Sequence, residues 1–171
     1  MSQTDQAALE ALAVQVGDAL RSQGLRLATA ESCTGGWVSQ CLTAVAGSSD
    51  WFERGFVTYS NEAKQEMLGV PPEVLIRHGA VSEATAMAMA TGALAHSRAD
   101  WALAITGVAG PSGGSPEKPV GLVCFAWAGP DACVATDSRR FAGDRQSVRA
   151  QSVEFVLSEL RERVKTMTAI S

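Results

Sequence analysis

The sequence has little of what marks a membrane-spanning, secreted or zinc-binding protein. No apolar run approaches the roughly 18 residues that a membrane helix requires, and the amino-terminal segment is acidic and amphipathic where a signal peptide would be basic and then apolar. Histidine occurs only twice, and the four cysteines form no CxxC pair, which argues against a dedicated metal site. We therefore expect a cytoplasmic protein whose thiols are reduced and which holds no metal.

Basic residues are also scarce. Fourteen Lys and Arg against 18 Asp and Glu give a net charge of −4, and no basic stripe with interleaved aromatics is present. Neither nucleic acid nor an anionic membrane is therefore an expected partner. The exception is the segment from Arg139 to Lys165, where basic residues outnumber acidic ones. An anionic small molecule could bind to this part of the chain.

Length and hydrophobic periodicity indicate one domain over residues 1–171. Leu9, Leu12 and Val16 have helical spacing, as do apolar residues of the last helix, and the segments LRLATA, FERGFVTYS and WALAIT predict strands. GLVCFAWAG and CVATDSRRF predict an antiparallel pair joined by GPDA. Asn61 is expected to cap the helix after the second strand. The prediction is a three-layer α/β/α domain with a mixed, mainly parallel sheet of about five or six strands.

Two glycine-containing loops, ESCTGG and TGVAGPSGG, follow predicted strands. Open α/β sheets bind ligands at the carboxyl ends of their strands, so we expect both loops to share one crevice. Ser32, Thr34 and the free N–H groups of the following helix start could hold an anion or an oxyanion. The second loop matches neither the Walker pattern nor GxGxxG, which argues against an NTPase or a dinucleotide oxidoreductase.

A serine nucleophile needs a base, and histidine is scarce here. No G-x-S-x-G elbow surrounds Ser32, which leaves Tyr59 and Lys64 of the VTYSNEAK segment as acid/base candidates. Burial in the crevice would lower the pKa of the lysine towards neutrality. In a competing scheme a Cys33 thiolate works with Lys64 and Glu31. The residues alone leave both schemes open.

Four segments in order carry a resemblance to a known family: AESCTGGWVSQCLTAVAGSSDWFERGFVTYSNEAK, HGAVSEATA, AITGVAGPSGGSPEKPVGLV and RRFAGDR. Together they resemble the CinA carboxy-terminal domain family, of the type of the nicotinamide mononucleotide deamidases called PncC. The resemblance implies hydrolysis of the carboxamide of nicotinamide mononucleotide to nicotinic acid mononucleotide and ammonia, without a cofactor, in bacterial pyridine nucleotide recycling. It also implies that Ser32 is the nucleophile and that Tyr59 and Lys64 are its acid/base partners. The nucleotide-hydrolysing domain of longer CinA proteins is not expected in this sequence, nor is its pyrophosphatase activity.

Such a substrate needs an anion cradle for its phosphate and oxyanion donors at its amide. The candidate substrate-binding residues belong to the two glycine loops and their neighbours: Glu31, Thr34, Gly35, Gly36, Ser48, Asn61, Thr106, Gly107, Gly110, Gly113, Gly114 and Arg145. Either loop could take either end of the substrate.

Two other functions remain open from the sequence. The chain could be a nucleotide-binding partner module in competence or DNA repair that catalyses nothing, or it could be a Ser/Lys amidase that acts on another amide. The alanine-rich helices and four tryptophans leave room for a homo-oligomer, with a dimer favoured.

Overall fold

The computed structural model describes residues 5–170, with the side chains of residues 5–167. The described residues contain six α-helices and five strands. The helices are α1 (Gln6–Ser22), α2 (Trp37–Thr43), α3 (Asn61–Leu68), α4 (Pro72–His78), α5 (Glu83–Ala95) and α6 (Arg145–Ile170). The strands are β1 (Leu27–Glu31), β2 (Phe52–Val57), β3 (Trp101–Gly107), β4 (Leu122–Ala128) and β5 (Val134–Arg140). None of the helices within residues 5–170 is both long and apolar enough to cross a membrane.

The strands form one mixed sheet in the order β2-β1-β3-β4-β5. β1 pairs in parallel with both β2 and β3, whereas β4 is antiparallel to both of its neighbours. Four of the five strands therefore point the same way, and only β4 opposes them. The predicted mixed, mainly parallel sheet is confirmed, and so is the hairpin through the GPDA segment.

Helices cover both faces of the sheet because side chains alternate along each strand. On β3, Trp101, Leu103 and Ile105 face a core formed with α1, α2 and α6, while Ala102 and Ala104 face a second core formed with the alanine-rich α5. Small residues on the second face let α5 pack close to the sheet. The predicted three-layer architecture is confirmed.

Local details of the sequence prediction need correction. β2 ends at Val57, before Tyr59, and the cap of α3 is Ser60, whose hydroxyl accepts a hydrogen bond from the Ala63 amide. Asn61 is instead the first residue of that helix. The helix α4 was not predicted, because its short sequence PPEVLIRHG shows one buried leucine and no sustained apolar stripe.

Candidate active site

A cleft of about 350 Å³ opens at the carboxyl ends of β1 and β3, beside the loop that follows β2. Its volume lies within the range of small-molecule sites. The predicted site residues that line it are Ser32, Tyr59, Lys64, Thr106, Gly107, Gly110, Gly113 and Arg145. Among the residues of the described chain that line the cleft none is acidic, and the Arg145 guanidinium supplies a positive charge that suits an anionic ligand.

A buried lysine contacts a serine at the centre of the cleft. Lys64 extends from the first turn of α3 and is 1% exposed, and its Nζ atom lies 3.1 Å from the Ser32 Oγ atom. The same Nζ donates to the main-chain carbonyls of Thr58 at 2.9 Å and Tyr59 at 3.3 Å. These carbonyls belong to the loop after β2, so the turn from β2 into α3 fixes the amine against Ser32.

The surroundings of Lys64 favour a neutral amine. Burial lowers the pKa of Lys64 below its usual value, and a smaller opposing contribution comes from Cys33. No carboxylate within the described part of the chain forms an ion pair with this lysine. A neutral amine 3.1 Å from a hydroxyl can accept its proton, which is the requirement for a general base.

Cys33, one residue further on, also lines the cleft, but its side chain is buried. It belongs to the core cluster on the α1, α2 and α6 face of the sheet. Burial raises the pKa of the Cys33 thiol to about 12, with Arg149 opposing the shift. The thiolate form is therefore strongly disfavoured at neutral pH, and the geometry favours Ser32 over Cys33 as the nucleophile.

Arg145, at the start of α6, bridges two walls of the cleft. Its Nη1 atom donates to the Gly110 carbonyl at 2.8 Å, and its Nη2 atom donates to the Tyr59 hydroxyl at 3.1 Å. Gly110 has a φ of +87°, a conformation that favours glycine. The guanidinium thus sits where the glycine loop after β3 meets the loop after β2.

Glu31 and Thr34 lie outside the lining of the cleft. The Glu31 carboxylate is fully buried and accepts four hydrogen bonds, from the Thr34 hydroxyl, the Val38 amide and both the amide and the hydroxyl of Ser39. All four donors lie between 2.7 and 3.0 Å. The Glu31 carboxylate thus connects the start of α2 to β1 through these hydrogen bonds, and neither of its oxygens is left for a ligand.

The other predicted residues that do not line the cleft are Gly35, Gly36, Ser48, Asn61 and Gly114. Gly35 and Gly36 adopt positive φ in the turn that leads into α2. Ser48 precedes β2 and therefore lies at the opposite edge of the sheet from Ser32. The Asn61 side chain is exposed at the start of α3.

The predicted site residues did not include Ala80, Val81 or Arg149, nor Val108, Ala109 and Ser112 of the glycine loop. Ala80 and Val81 line the cleft, and the Ala80 carbonyl accepts a hydrogen bond from the Thr106 hydroxyl at 2.7 Å. Arg149 lies behind the Ser32 turn and donates to the carbonyls of Cys33 and Thr34. The signal for Arg149 was its spacing, since it lies four residues after Arg145 and hence on the same face of a helix.

The expectation of a metal-free protein remains a prediction. Within the described residues, no group of three or more His, Cys, Asp or Glu side chains is placed to hold a metal ion.

The fold and the cleft define an α/β protein that can bind a small anionic ligand around a buried serine–lysine pair. The chain belongs to the family of the CinA C-terminal domain, because that family's model matches residues 9–164. It is 56% identical to the nicotinamide-nucleotide amidohydrolase PncC of Escherichia coli (strain K12) over 149 residues, which cover 87% of this chain and 90% of the relative. The Pseudomonas putida protein of the same name is 50% identical, over 87% of this chain and 92% of its own.

Solved structures show the same architecture. A CinA superfamily protein from Klebsiella pneumoniae superposes with a TM-score of 0.89 at 43% identity, covering 92% of this chain and 98% of the other. The competence/damage inducible protein CihA from Agrobacterium tumefaciens gives 0.87 at 48% identity, covering 89% and 93%. The family resemblance stated from the sequence motifs is confirmed.

Proposed function

We propose that this protein hydrolyses the carboxamide of nicotinamide mononucleotide to nicotinic acid mononucleotide and ammonia. The observation that carries the proposal is the buried Lys64 amine, 3.1 Å from the Ser32 hydroxyl in a cleft with basic lining residues. It is supported by the names of relatives at 50 to 56% identity, which are nicotinamide-nucleotide amidohydrolases. The cleft needs no cofactor for this reaction, because the serine supplies the nucleophile and the lysine the base.

In the first half-reaction, Ser32 Oγ attacks the carboxamide carbon while its proton passes to the neutral Lys64 amine. The tetrahedral intermediate places a negative charge on the former carbonyl oxygen. The N–H group of Cys33, a residue that lines the cleft, donates to no other residue in the described chain, and we assign it to this oxyanion. Collapse breaks the C–N bond, and the leaving nitrogen takes a proton from the Lys64 ammonium to depart as ammonia.

In the second half-reaction, water attacks the resulting ester and passes its proton to Lys64. The C–O bond to Ser32 then breaks, Ser32 Oγ recovers a proton from Lys64, and the product is released as the acid. The Tyr59 hydroxyl lines the same cleft and accepts a hydrogen bond from Arg145. We assign Tyr59 as an auxiliary proton donor to the leaving nitrogen.

The orientation of the substrate in the cleft follows from the position of Ser32 and Lys64. With the amide at Ser32, the phosphate extends towards Arg145 and the loop from Gly107 to Gly113. The amides of Ala109, Gly110, Ser112 and Gly113 have no hydrogen-bond partner within residues 5–170, so they are available to an anion. Thr106 and Gly107 form the floor between the two ends.

The experiment that tests the function is ammonia release from nicotinamide mononucleotide by the purified protein, compared with nicotinamide riboside, which lacks the phosphate. Two charge-assisted hydrogen bonds of about 1.5–3 kcal/mol each predict a kcat/KM lower by a factor of about 100 to 10,000 for the riboside. Arg145→Met should lower kcat/KM for the mononucleotide and leave the riboside nearly unchanged. Arg140→Met is the matched control, because Arg140 is exposed at the end of β5 and does not line the cleft.

Each outcome of that assay separates the candidate functions. Ammonia from other carboxamides alone would indicate a Ser/Lys amidase with another substrate. Binding of the mononucleotide without turnover would indicate a nucleotide-binding partner module. Equal kcat/KM for the two substrates would refute the assignment of the glycine loop and Arg145 to the phosphate.

We further propose that the protein is a single cytoplasmic domain without nucleic-acid partners. The four cysteines are free, which suits a reducing compartment, and one sheet links both cores. A dimer stays a prediction, but three of the four tryptophans give it no support, since Trp51, Trp101 and Trp127 are at most 1% exposed.

A further inference from the structure

We propose that Arg149 is a positioning residue that holds the turn bearing the nucleophile. Its Nε atom donates to the Cys33 carbonyl at 3.0 Å, and its Nη2 atom donates to the Thr34 carbonyl at 3.1 Å. Arg149 does not line the cleft, so it acts through the turn and not on the substrate. The inference rests on the assignment of Ser32 in the proposed function.

The guanidinium is itself held in place from two sides. Its carbon atom lies 5.3 Å from the centre of the Trp37 ring, and its Nη1 atom is 3.5 Å from the Gln146 side-chain oxygen. Trp37 in turn donates from its indole nitrogen to Gln6 of α1 at 2.8 Å. Arg149 therefore links α6, α1 and α2 to the turn that follows β1.

The Cys33 carbonyl depends on Arg149 for its hydrogen bond more than the carbonyls of Ser32 and Thr34 do. The Ser32 carbonyl accepts from the Gly35 amide, and the Thr34 carbonyl accepts from the Trp37 amide as well as from Arg149. For the Cys33 carbonyl, Arg149 is the sole hydrogen-bond donor within the described residues. Loss of the guanidinium would leave this carbonyl without a partner and free the Cys33–Thr34 peptide to rotate.

The orientation of that peptide matters because a trans peptide unit is planar, so its N–H points away from its C=O. With the Cys33 carbonyl directed at Arg149, the Thr34 N–H is directed away from the guanidinium. The same hydrogen bond fixes Cys33 itself, whose own N–H is the donor that the proposed function assigns to the oxyanion. Rotation of the peptide would turn a carbonyl oxygen towards the place where negative charge develops.

Arg163 offers a matched control on the same helix. Its guanidinium lies 4.5 Å from the centre of the Trp127 ring and 3.4 Å from a Glu159 oxygen, so it also combines an aromatic contact with a hydrogen bond. It touches neither the Ser32 turn nor the cleft. Arg163→Met therefore removes a comparable set of contacts without disturbing the nucleophile.

The experiment compares Arg149→Met, Arg149→Lys and Arg163→Met in steady-state turnover of nicotinamide mononucleotide, with thermal unfolding of each variant. Arg149→Met should lower kcat by about a hundredfold with KM within about threefold, because a misplaced turn affects the transition state more than the ground state. Arg149→Lys should be intermediate, since one ammonium can reach one carbonyl. Millimolar guanidinium should partly restore kcat to Arg149→Ala and change neither the unsubstituted protein nor Arg163→Met.

Three results would overturn the proposal: an equal fall in kcat for Arg149→Met and Arg163→Met, a raised KM with unchanged kcat for Arg149→Met, or no rescue by guanidinium. Ser32→Ala is assayed in parallel. If Ser32→Ala is inactive and Arg149→Met is fully active, the positioning role alone is refuted. If Ser32→Ala is active, the assignment of the nucleophile fails, and with it the basis of the positioning role.

Discussion

Removing either member of the Ser32–Lys64 pair should remove most of the turnover while the fold persists. The hydroxyl and the amine lie 3.1 Å apart, so each is of use to the reaction only in the presence of the other. We expect Ser32→Ala and Lys64→Met each to lower kcat by about a thousandfold or more, which corresponds to about 4 kcal/mol of transition-state stabilisation. The double variant should lose little more than either single one, because the two residues act as one unit.

The two substitutions should leave the fold intact for different reasons. Ser32→Ala removes one oxygen from the wall of a cleft. Lys64→Met removes a polar amine from a buried position but leaves the Thr58 and Tyr59 carbonyls without this donor. These effects oppose each other, so we expect the free energy of unfolding in urea to change by about 2 kcal/mol or less.

Ammonia release under saturating nicotinamide mononucleotide measures kcat, and Cys33→Ala is the matched control for the nucleophile. Cys33→Ala should stay largely active, because its thiol lies in the opposite core and has a pKa raised by burial to about 12. An inactive Cys33→Ala variant together with an active Ser32→Ala variant would refute the serine assignment. Fully additive losses in the double variant would refute the cooperation of Ser32 with Lys64.

Three further predictions concern pH and stability. Burial lowers the pKa of Lys64, so kcat/KM should rise with pH as the amine loses its proton, with the midpoint of the rise below pH 10.5, a profile that Lys64→Gln should lack. Glu31→Gln should lower the free energy of unfolding in urea by about 3 kcal/mol, because an amide cannot accept all four hydrogen bonds, and an unchanged value would contradict that role. Gly92→Ala should cost about 3 kcal/mol, since its Cβ would lie 2.0 Å from the Leu68 carbonyl oxygen, whereas the exposed Thr91→Ala on the same helix should be nearly neutral.

The sequence was sufficient to predict the layers of the fold and the contact between Ser32 and Lys64, because both depend on local patterns. On β3, large apolar residues alternate with alanines, which distinguishes its two faces, and the ESCTGG turn follows a strand directly. Lys64 could be placed near Ser32 because a helix that starts just after the neighbouring parallel strand must begin at the same edge of the sheet.

The misplaced residues depend on contacts that no local pattern encodes. A segment between a helix and the next parallel strand lies at the amino-terminal edge of the sheet, so Ser48 is on the far side from the cleft. Glu31 is a polar residue at the end of a buried strand, and its four donors come from the turn and helix after it. Arg149 contacts residues more than 100 positions away in the chain, a pairing that only the packing of α6 determines.

The choice between two adjacent nucleophiles follows from the alternation of β1. Ala28 and Ala30 face the core formed with α5, and the same alternation brings Ser32 to the face where α3 presents Lys64. Leu27 faces the other core, and Cys33 continues that side of the strand. A one-residue offset therefore gives the hydroxyl a buried base at 3.1 Å and places the thiol where burial keeps it protonated. The alternation of β1 thereby favours Ser32 as the nucleophile, although a solvent-exposed cysteine thiol is more acidic than a serine hydroxyl.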